Sequence, residues 1–336
     1  MYAPAWAPSD ARKKIADENH QIVRQSMQYI PYTCKFSGNM DTVMPRRTKD
    51  NKIELLDATI NDAIRYYVGQ GKTVAILNFA NSQHPGGGYL KGSLAQEEEL
   101  CRTSPYLFAS LNNVKHNFYP FNWWDTVLFT PNALFIREDG NYNYQILANN
   151  NIYSAHVITA AAPDFRHIQT PNYGFALQQY LEGYRQLLER LITVIYDMPM
   201  LYNIGLCSNI TNKLPNVDVL ILGAFGCGAF RPSVAQGSEH IYPEFVASCF
   251  NNVLSRVGGH YETICFAIPD KNGVNYRSFA NILTNNMYSL PQLGQFIQFK
   301  KSKKSKKSKK SKKVSKLDKY HQKYLKYKKK YLSLKN

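Results

Sequence analysis

The sequence lacks several features that would assign a function class at once. It has no uninterrupted apolar run of about 18 residues, the length an α-helical membrane span requires. No apolar stretch follows a basic start at its N-terminus, so no secretory signal is expected. Six cysteines (Cys34, Cys101, Cys207, Cys227, Cys249, Cys265) are scattered with no CxxC pair and no Cys/His cluster at zinc-finger spacing. That pattern predicts reduced thiols in a cytosolic or nuclear compartment rather than a disulfide framework or a structural metal. The glycine run at 86–88 is not a Walker phosphate loop, because no Gly-Lys-Ser/Thr follows it, and it is not a GxGxxG dinucleotide turn. Most of the chain also lacks a charge excess. The formal net charge is +17, but 18 lysines and one acid fall within residues 300–336, leaving 23 basic and 23 acidic side chains in residues 1–299. A basic nucleic-acid-binding body is therefore excluded on bulk charge, and the tail needs its own argument.

What is there is a repeated strand–glycine loop–helix pattern. Asp10–Tyr29 is polar and free of Gly and Pro and reads as a helix capped by Ser9 or Asp10. A second helix is expected over Glu54–Val68, stopped at Gly69 and Gly71. Thr73–Phe79 is nearly all apolar, as a strand buried on both faces of a sheet would be. Further strands are expected at Thr126–Thr130, His156–Ala162, Val217–Leu222 and Thr263–Ile268, with helical runs at Gly174–Tyr196 and Tyr242–Val257. Alternation of this kind predicts an α/β layer sandwich.

The most informative stretch is Ile76–Ser110. A buried strand ends at Phe79, and His84-Pro85-Gly86-Gly87-Gly88 follows. Three glycines without Cβ atoms let the backbone approach a ligand closely and take φ > 0. Ser93-Leu94-Ala95-Gln96 reads as a capping box, with Ser93 as N-cap. Glu97, Glu98 and Glu99 then fall in the first helical turn, where free N–H groups favour carboxylates. Successive helical residues point about 100° apart, so one or two of the three reach the glycine loop and the rest face solvent. On spacing alone this is equally a strand–loop–helix junction with an acidic, well-capped helix start. A second loop, Gly223–Phe230, directly follows the apolar run Val217–Leu222. Its small residues suit a diphosphate held by backbone N–H groups, or equally a tight turn with Phe225 and Phe230 in the core. Two such loops at strand carboxyl ends favour a phosphate-bearing ligand between them.

Leu77-Asn78-Phe79-Ala80, Pro85-Gly86-Gly87-Gly88 and Gln96-Glu97-Glu98 together resemble the signature of microbial-type poly(ADP-ribose) glycohydrolases, a GGG…QEE pattern with a short spacer. The resemblance continues through Leu100–Ser104, Thr130-Pro131-Asn132, Phe135-Ile136-Arg137, Ala160–Asp164 and Gly223–Phe230, in the family's order over most of residues 10–257. It implies a macrodomain-like three-layer α/β/α sandwich with N-terminal helical additions, and no metal or redox cofactor. It implies that Glu98 is the catalytic acid/base and that Glu97 holds the ribose hydroxyls with Gln96 in support. Gly86, Gly87 and Gly88 would line the distal ribose, with Asn81 against that ribose. Gly226, Cys227, Gly228, Ala229 and Phe230 would cradle the diphosphate. The sequence departs from the family pattern after Phe230, where Arg231-Pro232-Ser233 leads into an apparent insertion, Val234–Tyr242.

The implied reaction breaks a ribose–ribose bond through an oxocarbenium-like transition state. One carboxyl exchanges the proton with the departing oxygen while its neighbour fixes the sugar, and mutual repulsion with partial burial would raise one pKa toward neutrality. Reader macrodomains have such loops without the QEE, so the glutamates separate an enzyme from a non-catalytic ADP-ribose-binding module. A hydrolase removing mono-ADP-ribose from protein or nucleic acid would share the same distal-ribose site. His84 reads as a loop-structuring residue, Cys227 as a small packing residue, and Trp123-Trp124 as core opening an apolar strand.

Composition collapses near Phe299 into Ser/Lys triplets, dividing the chain into a 1–299 globular part and a 300–336 tail. Residues Lys300–Lys313 are too charged to pack and are expected to be disordered. Beyond them Leu317, Tyr320, Tyr324, Tyr327, Tyr331 and Leu334 recur at helical spacing among lysines. The partners expected of the chain are ADP-ribose or its polymer, with a polyanion, either nucleic acid or the polymer itself, on the tail.

Overall fold

The computed structural model describes residues 9–36, 39, 51–170, 174–207, 213–283 and 287–288. The predicted lysine-rich tail, with its Tyr/Leu stripe and the boundary near Phe299, lies outside them. In chain order the helices are α1 (Ser9–Gln25), α2 (Ile60–Gly69), α3 (Gln96–Thr103), α4 (Pro105–Asn113), α5 (Lys115–Phe118), α6 (Gly174–Glu182), α7 (Arg185–Asn203), α8 (Ile241–Leu254) and α9 (Val274–Leu283). The strands are β1 (Cys34–Lys35), β2 (Lys52–Leu56), β3 (Val74–Phe79), β4 (Leu128–Phe135), β5 (Tyr153–Ala160), β6 (Gln169–Thr170), β7 (Val219–Leu222), β8 (Ser233–Val234), β9 (Thr263–Ala267) and β10 (Met287–Tyr288).

Eight strands form one sheet in the order β1-β4-β5-β3-β7-β9-β2-β10. The central run β5-β3-β7-β9-β2 is parallel, and β4 pairs with β5 antiparallel at one side. Every residue of β7 and β9 is buried, as is all of β3 but Phe79, which is what a parallel sheet covered on both faces demands. Alternate side chains serve the two helical layers. Leu77, Leu220, Ile264 and Phe266 join the main core, and Phe266 meets Phe250 of α8 and Phe279 of α9 ring to ring. On the other face Tyr67 of α2 donates to Glu54 of β2. The expected three-layer α/β arrangement is present, and no described helix is long and apolar enough to cross a membrane.

Several local expectations are corrected. Glu54–Val68 is not one helix: Lys52–Leu56 is a strand, and α2 starts only after Thr59, whose hydroxyl accepts from Asp62 N–H at 3.2 Å. Gly174–Tyr196 divides at Gly183 into α6 and the start of α7. Thr126–Thr130 is displaced to β4, so Trp123 and Trp124 lie in the preceding loop, and Trp124 is 46% exposed rather than core. Of the expected insertion Val234–Tyr242, Val234 pairs with β6, together with Ser233 before it, in a small second sheet, and Tyr242 already belongs to α8.

The expectation of reduced thiols is also overturned for one pair. Cys34 on the edge strand β1 and Cys207 form a disulfide with a Cα–Cα separation of 5.6 Å. The two are 173 residues apart, so no spacing pattern announces them. They meet because the chain after α7 returns to bridge Phe36 beside β1. The other four cysteines are free and buried.

Candidate active site

The site is built where β3 ends. Phe79 sits next to Ala160 of β5, and the β3 partner on the other side is β7, so the loops after β3 and β7 leave the same edge of the sheet side by side. Gly223 fixes how close they come: a Cβ there would lie 2.9 Å from the Phe79 ring and 3.0 Å from Ala267 O. The Phe79 and Phe225 rings stack edge to face at 5.6 Å between centroids.

Helix α3 is locked to β3 by Gln96. Its amide donates to Leu77 O at 2.7 Å, and its carbonyl accepts from Phe79 N–H at 2.8 Å. Gln96 therefore ties the start of α3 to the end of β3. The helix does not begin as expected: Ala95 is the N-cap, with no side-chain cap hydrogen bond. Ser93 instead lies under the glycine loop, where its side chain occupies the space a Cβ on Gly88 would need. Arg102, fully buried, donates to Ser93 O at 2.7 Å and fastens this turn from below.

Glu97 and Glu98 both turn toward the glycine loop and are buried, at 2% and 6% exposure. Glu97 Oε2 accepts from Asn81 N–H at 2.7 Å, and its Oε1 accepts from Gly86 N–H at 3.2 Å and Asn78 Nδ2 at 3.3 Å. Burial pushes the Glu97 carboxyl up to about 8; its N–H donors pull the other way, and the charge of Glu98 adds to the rise. The raised carboxyl expected of the pair is thus Glu97, and desolvation outweighs repulsion. Glu98 is arranged differently. Its Oε1 accepts from Gly88 N–H at 2.8 Å, while its buried Oε2 has no hydrogen-bond partner among the described residues. One oxygen is anchored and the other is unpartnered.

Glu99 corrects the expectation that the third glutamate faces solvent. Its side chain is 14% exposed and accepts from Gly140 N–H at 2.8 Å, Tyr144 hydroxyl at 2.7 Å and Arg102 Nε at 3.3 Å. It belongs to the brace behind the helix.

The glycines have separate reasons. Gly87 has φ +53°, and a Cβ there would sit 2.7 Å from Glu98 Oε1 and 3.2 Å from Glu97 Oε2. Gly86 is also at positive φ, and a Cβ there would lie 2.7 Å from the Phe108 ring. Asn81 shapes the loop: its Oδ1 accepts from Gln83 N–H at 2.8 Å and His84 N–H at 3.0 Å. His84 is exposed and enters this network through its backbone alone, in keeping with a loop-structuring role.

In the second loop Gly226 has φ +75°, with Ala162 Cβ and the Tyr242 hydroxyl each 2.7 Å from where its Cβ would be. Cys227 is fully buried, and burial holds its thiol far up, so it packs and does not attack. Gly228 and Ala229 are exposed at the tip, and Phe230 is half-buried under the Arg166 guanidinium, 5.2 Å from the ring centroid. Among the described residues no group of three or more His, Cys, Asp or Glu could hold a metal ion.

Sequence reasoning missed α1 as part of the site. Arg12 Nε donates to Gly92 O at 2.6 Å, and Asn19 Nδ2 donates to Tyr89 hydroxyl at 3.1 Å and Arg102 O at 2.9 Å. Arg137 Nε donates to Asn19 Oδ1 at 2.7 Å and so joins the same strap. The polar, uncompensated look of this helix was the available signal, since buried polar groups need partners.

Residues 5–160 match the family model described as microbial-type PARG, catalytic domain. No curated protein matches the chain. Among solved structures, poly(ADP-ribose) glycohydrolase from Thermomonospora curvata is similar at 24% identity and a TM-score of 0.62, covering 81% of this chain and 99% of that one. The same protein bound to the inhibitor ADP-HPD gives 24% identity and a TM-score of 0.61, with equal coverage. The Deinococcus radiodurans glycohydrolase in complex with ADP-ribose gives 23% identity and a TM-score of 0.53, covering 82% and 92%. At these identities the structures speak for the fold, and the family match is what reaches the glutamates. The residues that match the microbial-type PARG catalytic-domain model include Glu97, Glu98 and the glycine loop.

Proposed function

We propose that the chain hydrolyses the ribose–ribose glycosidic bonds of poly(ADP-ribose), releasing ADP-ribose. The observation that carries this reading is the division of labour within Glu98: Oε1 is held by Gly88 N–H, and Oε2 is buried without a partner. A carboxyl so fixed places one oxygen to give a proton to the departing ribose oxygen and then to take one from the attacking water. Glu97 acts beside it. Asn81, Gly86 and Asn78 take three of its roughly four lone-pair sites, and the proton its raised carboxyl retains is left to donate to a ribose hydroxyl. Gly86–Gly88 then lie along the distal ribose, with Asn81 holding the start of their loop. Gly226–Phe230 receive the diphosphate, and the exposed backbone of Gly228 and Ala229 is where it would sit.

Glu98→Gln keeps the shape and removes the proton. It is expected to lower kcat by more than about 100-fold while ADP-ribose still binds. Activity is read as free ADP-ribose released from poly(ADP-ribose) and, in a parallel arm, from singly modified protein. A variant retaining a tenth of the wild-type kcat would rule out Glu98. Release from the singly modified protein alone would move the assignment to a mono-ADP-ribose hydrolase, and binding with no release in either arm to a reader.

A further inference from the structure

An open groove of about 500 Å³ lies between the Trp123-Trp124 loop, residues 163–167 and the start of α7. Trp123, Trp124, Phe165, Tyr184 and Leu187 line it, with Asp164 among them. Two backbone hydrogen bonds join its walls to the site. Phe121 N–H donates to Ser82 O at 2.9 Å, tying the Trp123-Trp124 loop to the chain just past Asn81. Phe165 N–H donates to Phe230 O at 2.9 Å, tying the opposite wall to the second loop. Because β5 runs parallel to β3 with Ala160 beside Phe79, residues 163–165 leave the same sheet edge as the glycine loop, one strand over. Both walls of the groove are therefore hydrogen-bonded to segments that frame the candidate site.

Its chemistry is that of a stacking platform. The Trp123 and Trp124 rings are perpendicular at 5.9 Å, and Trp123 in turn leans on Tyr184 at 6.4 Å. This fixes the orientation of Trp124, which is 46% exposed. A half-exposed indole packed against a second ring suits a planar base, which any π-face satisfies without sequence readout. Asp164 is taken by Arg166, whose Nε donates to its Oδ1 at 2.8 Å, and the 61% exposed guanidinium so held presents positive charge at the rim, where a phosphate can meet it.

The occupant follows from the bond being cut, and so rests on the glycohydrolase reading. That bond joins C1 of the distal ribose to the 2′-oxygen of the adenosine in the neighbouring unit. When it breaks, its electron pair goes to the 2′-oxygen, which takes the proton from Glu98. Water adds to C1 and returns a proton to Glu98. The departing ribose carries its adenine on the carbon adjacent to the one bearing that oxygen, so a base must lie close to the site on the leaving side. We infer that the Trp124 groove is the leaving-group subsite, where the adenine of the departing ADP-ribose unit stacks.

Trp124→Ala and Trp124→Phe test this in the full chain. For Trp124→Ala the KM for poly(ADP-ribose) is expected to rise about tenfold, the loss of one base stack, with kcat at saturation little changed. The ADP-ribose Kd, which reads the first site alone, is expected to stay at the wild-type value, and Trp124→Phe to restore most of the KM. Adenosine titrated calorimetrically into protein saturated with ADP-ribose is expected to bind wild type and not Trp124→Ala. Normal polymer turnover with an unchanged KM in Trp124→Ala, or no adenosine binding to wild type, overturns the subsite and leaves the glycohydrolase reading standing. A parallel rise in the ADP-ribose Kd would place Trp124 in the first site and also overturn it. Wild type that binds ADP-ribose but releases none from polymer sinks the glycohydrolase reading, and the subsite with it.

Discussion

Neighbouring glutamates on one helix turn end up in three environments, and the difference comes from what each carboxylate is offered. Glu97 meets N–H donors from Asn81, Gly86 and Asn78, Glu98 meets Gly88 alone, and Glu99 meets Gly140, Tyr144 and Arg102. The first two were legible because their donors lie within 19 positions in the same motif. Glu99 was not, because Gly140 and Tyr144 are 41 and 45 residues downstream. The raised Glu97 carboxyl makes stability depend on pH. Its folded value of about 8 exceeds the unfolded value of about 4.3, so the folded state holds a proton that the unfolded state releases between them. That contribution is complete below about pH 4 and is lost as pH rises through 8. Wild type should therefore lose stability across this window relative to Glu97→Gln, which cannot titrate. Denaturant midpoints at several pH values check it, and parallel curves for the two proteins would show that the N–H donors keep Glu97 ionised throughout.

At the scale of elements, strands buried on both faces were easy to read: β3, β5, β7 and β9 are apolar runs, and all lie within a few residues of their expected places. Their neighbours were harder for physical reasons. The strand β2 hides a glutamate, Glu54, whose burial is met by Tyr67, which donates to it from a helix 13 residues on, and by an ion pair with Lys52. The capping box at Ser93 failed because tertiary contact with Gly88 and Arg102 claimed that turn. Helix α1 was read as a polar addition, yet Asn19, 1% exposed, touches Tyr89, Arg102 and Arg137 at once. Removing its amide leaves those groups unpaired in the interior, each costing about 1–3 kcal/mol before relaxation. Asn19→Ala is expected to destabilise the protein by about 2–3 kcal/mol and to lower kcat, since Arg102 and Tyr89 support the Glu98 turn. Thermal melts alongside turnover measure both. An unchanged Tm would mean that α1 rests on the loop without bracing it.

For the molecule as a whole, charge and catalysis are separated along the chain. Residues 1–299 carry 23 charges of each sign, while residues 300–336 hold 18 lysines against one acid. We propose that attraction to polyanions comes almost wholly from this segment, through release of counterions from phosphates. Deleting 300–336 should then leave kcat on a short ADP-ribose oligomer unchanged, since Glu98, the glycine loop and the Trp124 groove all lie within residues 79–230. It should weaken capture of long poly(ADP-ribose) or of DNA, and flatten the dependence of log K on log salt, whose slope scales with the phosphates neutralised. Affinity for a long polymer at several salt concentrations, with and without the segment, is the measurement. Shallower slopes in the deletion with an intact kcat would make the tail a tether that holds polymer near the site. Equal slopes for both proteins would show that the lysines engage no phosphates, and that the Leu317, Tyr320 and Tyr324 stripe serves a partner of another chemistry.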